Sequence, residues 1–354
     1  MNAPLAPPRT YYAIADLRDP GEAARIEGFV REMRGEIFHR PLWLQAVETG
    51  TGQKATGIVA ERLGAITGWL PLTEVHSPLF GRALVSSGFA VGGGILADDE
   101  RTVAGMARAA QELARRASCP SIELRGGPIP EQWESWSDRH AGFVADLQAD
   151  DDAQLKWVPR KQRAEIRKSL DSGLTVEVGT AEPDRAAHYA VYSESVRNLG
   201  TPVFPRGLFD AVLDRFGDDA DILTVRHDGK PVASVLSFYH DGTVLPFWGG
   251  GTFAARTLRA NERMYFELMC HARRRGMKRF DFGRSKTASG PYSYKKNWGF
   301  EPQPLTYGMW SAAPDQARNI DPTDAAYSAK IDLWKKLPLP VANLIGPAIA
   351  KGLA

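Results

Sequence analysis

An internal repeat constrains the fold of this chain more than any other feature of its sequence. Residues 57–70 and 222–236 each predict two antiparallel strands joined by a tight turn, and the second turn contains an Asp-Gly pair, which favours β-hairpins. Each hairpin is followed by a third strand that runs into three consecutive glycines, at 92–94 and at 249–251. Two copies of one strand-rich unit are therefore expected in tandem.

The segments after the glycines repeat as well. A helix is predicted at 100–117 in the first half and at 261–275 in the second, and each leads into a short strand, at 121–127 and 279–284. The chain is therefore expected to form two βββ-loop-α-β units, with the glycines in the loops. The alternative is that two generic α+β segments merely share a pattern. Further helices are predicted ahead of the units, at 39–49, 184–199 and 205–216.

A polar, acidic segment at 148–153 predicts where the first unit ends and the second begins. The leader that precedes the first unit lacks the charged and apolar regions of a signal peptide. The expected division is a disordered leader at 1–10, a first domain at 11–150, a second domain that carries the site at 151–315, and an apolar, partly helical tail at 316–354.

The overall charge does not indicate a protein that coats nucleic acid. The 354 residues include 44 basic and 42 acidic side chains, a net charge of +2, so any anion-binding site has to be local. The two cysteines, Cys119 and Cys270, lack the spacing of a disulfide framework or a thiolate metal site. They are expected to be small buried side chains in a reducing compartment. No metal site is predicted, because the histidines also lack the spacing of metal ligands.

The tail combines apolar side chains with scattered lysines and prolines at 333–351. No apolar run in the chain approaches the ~20 residues that span a bilayer, so no transmembrane segment is expected. The protein is therefore predicted to be cytoplasmic. Two interpretations of the tail remain open: it packs on the body of the protein, or it makes a peripheral contact with a partner or with the inner face of the membrane.

Residues 280–300 hold the densest group of candidate site residues. A short strand with alternating side chains breaks at Gly283 into a turn and a loop rich in aromatic and cationic residues. Asp281 is the candidate proton acceptor, or else a structural partner of Arg284 or of a backbone N–H. Lys286 is grouped with it as catalytic, because it and Arg284 are suited to bind phosphate or stabilise an oxyanion. The acceptor path is expected to be lined by Tyr292, Tyr294 and Lys295; an edge strand with outward lysines is the alternative for that segment.

Two other segments complete the candidate site. Pro246 removes a ladder donor just before Trp248, so a break there would expose backbone N–H groups to a carbonyl oxygen, with Trp248 as a substrate-binding residue beside them. A helix that begins near Pro159 carries three arginines on one face. Such a stripe is suited to phosphate, although a solvated charged face is equally typical of this pattern. The three residues are Arg160, Arg163 and Arg167.

Several common catalytic motifs are missing from the sequence. It contains neither the GxGxxG dinucleotide loop nor the GxxxxGK[ST] phosphate loop, and the GxSxG nucleophile motif of hydrolases is absent as well. Nucleotide-dependent redox or phosphoryl chemistry and serine hydrolysis therefore have no support in the sequence.

Several segments described above resemble the FemAB family of peptidyl (aminoacyl) transferases. The resemblance rests on the basic helix at 157–170, on DFGRSK and YSYKKNWGF within 281–300, and on the tail, and it covers residues 35–345. It is closest to the FemAB-related proteins associated with exosortase/PEP-CTERM and exopolysaccharide systems. What it implies is an α+β fold of two tandem, duplicated GNAT-like (acyl-CoA N-acyltransferase) domains with mixed, largely antiparallel sheets.

The resemblance also implies a function: transfer of an acyl or aminoacyl group to an amine or hydroxyl of a cell-envelope (peptidoglycan) or exopolysaccharide precursor. No tightly bound cofactor is expected; the donor would be aminoacyl-tRNA, held by local basic patches, or acyl-CoA. Residues 256–261 replace the Gly-containing acetyl-CoA signature of ordinary GNAT enzymes, which argues against a standard pyrophosphate cradle. The alternatives are a non-catalytic GNAT-like binding module in an export assembly and an acetyl-CoA-dependent N-acetyltransferase.

Overall fold

The computed structural model describes residues 8–313 and 331–353, which form two α+β units, each built on its own sheet. The first unit comprises residues 8–136, 306–313 and 351–353, and the second comprises residues 137–305 and 331–350. Among the described residues, no helix is both long enough and apolar enough to cross a bilayer.

The first unit contains a mixed sheet of eight strands, in the order β1-β2-β3-β4-β6-β16-β7 with β5 paired to β3. All neighbours are antiparallel except β4 and β6, which are parallel and connected by helix α3. The strands are β1 (Thr10–Ile14), β2 (Lys54–Arg62), β3 (Ala65–Ser77), β4 (Gly81–Ser86), β5 (Leu96–Ala97), β6 (Ser121–Arg125), β7 (Glu134–Trp136) and β16 (Tyr307–Ser311), and the helices are α1 (Pro20–Glu32), α2 (Pro41–Thr51) and α3 (Glu100–Arg116).

The second unit repeats this arrangement, in the strand order β14-β8-β13-β12-β11-β10-β9 with β15 paired to β8, and β12 is parallel to β13. The strands are β8 (His140–Asp146), β9 (Thr175–Gly179), β10 (Ala220–His227), β11 (Lys230–His240), β12 (Thr243–Gly251), β13 (Arg279–Asp281), β14 (Ser285–Lys286) and β15 (Pro302–Pro304). The helices are α4 (Asp151–Trp157), α5 (Arg160–Leu170), α6 (Glu182–Leu199), α7 (Arg206–Phe216), α8 (Ala255–Leu258), α9 (Ala260–Arg274), α10 (Gly290–Asn297) and α11 (Leu339–Ala350).

The tandem repeat predicted from the sequence is confirmed. Both hairpins form (β2–β3 and β10–β11), and the helix of each unit leads from the third strand into a short parallel neighbour. Two strand ends were predicted wrongly. The third strand of the first unit ends at Ser86 rather than Val91, because Ser87 and Phe89 adopt left-handed backbone angles, with φ of 43° and 65°. In the second unit, the three glycines lie inside β12 rather than in the following loop.

Each sheet includes one strand that lies on the far side of the predicted boundary at residue 150. Strand β8 precedes that boundary but pairs with β13, β14 and β15 of the second unit. Strand β16 follows residues 137–305 of the second unit but pairs with β6 and β7 of the first. The boundary therefore falls at residue 136, and the first unit is completed by a strand from a distant part of the chain.

Each unit has its own core beneath its sheet. In the first, α3 packs Met106 against Leu70 and Ile122, and in the second, α9 packs Met264 and Leu268 against the sheet. Burying each such side chain contributes about 2 kcal/mol. Cys119 and Cys270 are both buried free thiols, as predicted.

The leader and the tail are described only in part. Residues 1–7 and 314–330 lie outside the described residues, and residue 10 of the predicted leader already belongs to β1. The helical character of the tail is confirmed by α11. This helix packs on α6, where Asn343 Nδ2 donates to Ser193 Oγ at 3.2 Å.

In the first unit, the chain after β4 fills the space where β4 and β6 diverge. These strands pair only at Leu84–Ile122 and Val85–Glu123. Beyond that point, a Cβ atom at Gly93 would lie 2.4 Å from Ser87 Oγ, and one at Gly94 would lie 1.8 Å from Gly126 O. Arg125 Nη1 donates to Ala90 O at 2.8 Å, and Gly93 N donates to Glu36 Oε2 at 2.9 Å. Segment 90–95 is therefore held between the two strand ends by close contacts and by hydrogen bonds at Ala90 O and Gly93 N.

We expect Gly94→Ala to destabilise the first unit by about 3 kcal/mol, because the new methyl group would overlap a backbone carbonyl that cannot move aside. The control is Gly28→Ala, in the interior of α1, where a Cβ atom has no neighbour within 4 Å and alanine favours the helix by up to about 1 kcal/mol. Chemical denaturation of both variants measures this. A Gly94→Ala midpoint equal to that of Gly28→Ala would contradict the close packing.

Candidate active site

In the second unit, the divergence of the two parallel strands is not filled by backbone. Strands β12 and β13 pair only at Thr243–Arg279 and Val244–Phe280. The edge of β12 from 245 to 251 that faces away from β11 therefore has no strand partner among the described residues. Backbone N–H groups at a strand edge without a neighbouring strand can bind an oxygen atom of a ligand.

The predicted break of β12 at Pro246 is confirmed as a β-bulge. Ser237 pairs with Pro246 and Leu236 pairs with Trp248, so Phe247 is the extra residue. After the bulge, the side-chain direction alternates between the two faces of the sheet. A Cβ atom at Gly249 would meet the Tyr265 hydroxyl of α9 at 3.4 Å, whereas one at Gly250 would meet Ser195 Oγ of α6 at 2.3 Å. The glycines thus allow side chains of α9 and α6 to approach the strand backbone from opposite faces.

Tyr265 is the main side chain on the α9 face of this opening. Its ring lies edge-on to Phe282, with centroids 4.6 Å apart, and Tyr294 and Trp298 complete an aromatic cluster around it. Its hydroxyl makes no hydrogen bond to any residue of the described chain. Burial raises the pKa of Tyr265 to about 12, with the charge of Glu262 acting in the same direction. The hydroxyl is therefore a protonated donor beside the edge of β12 that has no strand partner among the described residues.

Two hydrogen-bond acceptors lie in the same first turn of α9. Glu262 Oε1 accepts long hydrogen bonds from Gln162 Nε2 at 3.4 Å and from Tyr294 Oη at 3.5 Å. Asn261 Oδ1 is buried, has no partner among the described residues, and would lie 2.6 Å from a Cβ atom at Gly251. A buried acceptor without a donor is costly. This pair of acceptors is therefore suited to a ligand that carries N–H groups.

Asp281 and Trp248 lie on the opposite face of the sheet. Phe280 and Phe282 point to the α9 side, so the alternation of a strand directs Asp281 to the side of α6 and α7. Asp281 Oδ1 accepts a hydrogen bond from Gly283 N at 2.8 Å, which shapes the turn after β13. Trp248 is 4% exposed and packs edge-on against Phe209 of α7 at 4.8 Å. Little of the Trp248 ring is accessible to a substrate.

The segment 290–297 was predicted as a loop or an edge strand, and this prediction is wrong: it is helix α10. Ser289 caps the helix by accepting from Tyr292 N, and Pro291 occupies its first turn. Tyr292 packs against Phe143 at 5.3 Å. Tyr294 joins the aromatic cluster by helix geometry rather than by lining an extended path.

Lys295 is buried beneath the turn that follows β13. Its Nζ donates to Gly283 O and Arg284 O, both at 3.0 Å, between the rings of Phe143 and Phe282. Burial lowers the pKa of Lys295 to about 8, against the opposing effect of Asp281. Lys295 therefore holds the turn that presents Arg284 and Lys286, both half-buried, and its own ammonium is committed to backbone carbonyls.

The three arginines of α5 divide into two environments. Arg163 caps the end of α4 through Val158 O, at 3.2 Å from Nε, and through Lys156 O. Arg160 and Arg167 are exposed on the side of α5 away from its buried residues, which face α9. A stripe of three arginines on one face is therefore reduced to two exposed guanidinium groups.

The structure places Arg284, Lys286 and Lys295 around the turn after β13, with Asp281 at the start of that turn. Tyr294 lies in the aromatic cluster on the α9 side, and Arg160 and Arg167 lie on the exposed side of α5. Sequence reasoning missed Asn261, Glu262 and Tyr265 as site residues. The available signal was their position: a polar first turn of the helix that follows the glycines.

The start of α9 is a poor fit for a diphosphate. Its N-cap residue, Arg259, has φ of 57° and directs Nε to Glu165 Oε2 at 2.6 Å and Nη1 to Thr257 O at 2.7 Å. Glu262 adds a carboxylate in the first turn. A helix N-terminus binds phosphate when free N–H groups and cations meet there, and here a carboxylate is present and the nearest guanidinium is occupied.

Part of this chain is similar to a known protein family. The family model described as an acetyltransferase (GNAT) domain matches residues 160–296, from α5 into α10. No curated protein matches the chain. The match to the acetyltransferase (GNAT) model lies within the second unit, which is the part of the chain that contains the candidate site.

Solved structures show the same fold over most of the chain. The crystal structure of FemX is 14% identical, with a TM-score of 0.64, and the match covers 81% of this chain and 95% of FemX. A tandem GNAT protein from the clavulanic acid biosynthesis pathway is 14% identical, with a TM-score of 0.57 and coverage of 86% and 99%. L-PGS from Bacillus licheniformis is 13% identical, with a TM-score of 0.54 and coverage of 91% and 97%. The expected fold of tandem GNAT-like domains with mixed sheets is confirmed.

We expect the free energy of unfolding to depend on pH through the buried amine of Lys295. Its pKa is about 8 in the folded chain and 10.5 when unfolded, so between these values the unfolded chain binds the proton and the folded chain does not. Stability therefore rises with pH across this window, by at most about 3 kcal/mol, and this gain is lost in Lys295→Met. Chemical denaturation from pH 7 to 11 measures the difference, with the exposed neighbour variant Lys296→Met as the control. Parallel pH profiles for wild type and Lys295→Met would contradict the shift.

Proposed function

We propose that this protein is an acyltransferase that moves an acyl or aminoacyl group to an amine or hydroxyl, with the reaction at the opening between β12 and β13. The observation that carries the proposal is the contrast between the two units. In the first, segment 90–95 fills the divergence of the parallel strands. In the second, the same divergence is bordered by side chains and by an edge of β12 without a strand partner among the described residues, and it lies within the segment that matches the GNAT model.

The two faces of the opening supply different groups. On the α9 side, the Tyr265 hydroxyl is a donor for the carbonyl oxygen of the acyl group and for the oxyanion that develops from it. On the other side, Asp281 is the proton acceptor for the attacking amine or hydroxyl. Since a nucleophile approaches a carbonyl group from one side of its plane, a base on one face and a polarising donor near the strand edge suit the geometry.

The proposed reaction is a direct transfer in which one bond forms and one bond breaks. The acceptor nitrogen or oxygen bonds to the donor carbonyl carbon while its proton passes to Asp281, and the bond from that carbon to the leaving oxygen or sulfur breaks. The proton then passes to the leaving group. Lys286 and Arg284 supply positive charge beside the turn for the anionic part of the donor or acceptor.

An aminoacyl donor fits the α9 side better than a simple acyl group. The ammonium group of an aminoacyl ester has three N–H donors, and Asn261 Oδ1 and the Glu262 carboxylate are acceptors in one helical turn. The poor fit of a diphosphate at the start of α9 supports the same choice over acyl-CoA. Aminoacyl-tRNA is thus the favoured donor, with Arg160 and Arg167 as the local basic patch for its phosphates.

The acceptor belongs, in this proposal, to cell-envelope or exopolysaccharide biosynthesis. The support is the resemblance of segments 157–170 and 281–300 to FemAB-type transferases together with the fold shared with FemX. A non-catalytic GNAT-like binding module remains the second candidate. It is favoured by one observation: the candidate base Asp281 already accepts a hydrogen bond from Gly283 N, which is a structural role in the turn after β13.

We expect Asp281→Asn to reduce transfer by about 10²- to 10⁴-fold without unfolding the protein, because asparagine keeps the acceptor for Gly283 N but cannot take a proton. Tyr265→Phe should cost about 10²-fold, because it removes one polarising donor. Mass-spectrometric detection of the modified acceptor measures both rates. The matched control is Tyr11→Phe, on the exposed edge strand β1. Wild-type rates in both site variants would leave the binding module as the better description.

We expect the donor to be recognised through its ammonium group. Aminoacyl-tRNA should stabilise the wild-type protein in a thermal shift assay, and N-acetylated aminoacyl-tRNA should bind about tenfold or more weakly, because a charge-assisted hydrogen bond is lost. In Glu262→Gln, the two ligands should bind alike. Acetyl-CoA serves as the comparison donor; a stronger shift with acetyl-CoA than with aminoacyl-tRNA would indicate an N-acetyltransferase instead.

A further inference from the structure

Helix α11 is apolar except for Asn343, although only one of its faces packs against other residues that the structure describes. On the inner face, Ala342 and Gly346 are buried, and a Cβ atom at Gly346 would lie 3.2 Å from Val203. The helix contains no charged residue. A surface helix of a globular protein ordinarily carries polar side chains on the face away from the core. Packing within the unit therefore does not account for the apolar side chains on the outer face of α11.

The outer face forms a continuous apolar stripe. Its exposed residues recur at the spacing of one helix face, and they are Pro340, Val341, Leu344, Ile345 and Ala348. Leu344 is 80% exposed, and Leu333, just before the helix, is 66% exposed. Scattered exposed leucines are common, but a stripe of five apolar residues without an interspersed polar one marks a contact surface.

The charges around the stripe indicate which surface it meets. Lys335 and Lys336 are exposed immediately before the helix, and Lys351 follows it directly. From residue 333 to residue 354 the sequence has no aspartate or glutamate. The nearest acidic residue in the sequence, Asp332, forms an ion pair with Lys335 at 3.4 Å, and Lys336 and Lys351 leave an excess of positive charge beside the stripe. Apolar residues bordered by an excess of cations complement an interface whose outer layer is anionic and whose interior is hydrocarbon.

We propose that α11, with Lys335 and Lys336, is a peripheral membrane-binding surface for anionic phospholipid. The 12-residue helix is too short to cross a bilayer, so it lies in the plane of the interface with Leu344 and its neighbours among the acyl chains. Its inner face remains packed on α6 throughout. The inference is independent of the proposed acyl transfer, since it rests on residues outside the candidate active site.

The test is co-sedimentation of the full chain with vesicles of equal parts phosphatidylcholine and phosphatidylglycerol. We expect binding to these vesicles and much weaker binding to pure phosphatidylcholine. Leu344→Asp should weaken binding about tenfold or more, because a buried leucine is replaced by a charge. Lys335→Gln with Lys336→Gln should weaken it by about fivefold per lysine at low salt and reduce its salt sensitivity.

The control variant is Leu63→Asp, which replaces an equally exposed leucine (87% exposed) in the turn between β2 and β3 and should leave vesicle binding unchanged. Thermal unfolding of Leu344→Asp at the wild-type midpoint shows that the helix stays packed. The proposal is overturned by absence of binding to the anionic vesicles, or by binding that Leu344→Asp leaves intact. Self-association in analytical ultracentrifugation that Leu344→Asp abolishes, without vesicle binding, would assign the stripe to a second copy of the chain instead.

Discussion

The pairing of β12 with β13 at only two positions is the constraint on which the rest of the second unit depends. Parallel neighbours need a crossover, and here α9 is that crossover, packed on the sheet through Met264 and Leu268. Once the strands diverge, one edge of β12 has backbone groups without a ladder. Such groups are expensive to bury unless something bonds to them, so the divergence either has to be filled or has to stay open to a ligand.

The two units resolve this constraint in different ways. In the first, the chain after β4 turns back between the strands, and Arg125 and Glu36 bond its backbone. In the second, the chain continues in β12 through the bulge at Phe247 to Gly251, so it does not turn back into the gap. The side chain of Tyr265 reaches the strand instead, and a phenol leaves room that a backbone segment would occupy. The same glycine triplet therefore serves a closed gap in one unit and an open one in the other.

Much of the fold was predictable because the repeat is local. The Asp228-Gly229 turn and the helix periods are contained in short windows, and both were found where they were expected, whereas the second glycine triplet lies in β12 rather than in a loop. The pairings of β8 and β16 were not predictable, because they join segments far apart in sequence. The site was predicted only in part for a similar reason. The pattern of Tyr292, Tyr294 and Lys295 suits a strand, and the Ser289 cap that makes it a helix is a weaker signal than the aromatic residues around it.

The burial of Lys295 shows how the site depends on residues that do not touch a ligand. An ammonium group in an apolar setting is costly, and burial lowers its pKa towards neutrality. As a neutral amine it still has two N–H groups, which is the number required by Gly283 O and Arg284 O. Lys295 therefore fixes the turn between β13 and β14 in either protonation state. A cation that looks like a ligand-binding group in the sequence is, in the fold, the support that sets where Asp281 and Lys286 are presented.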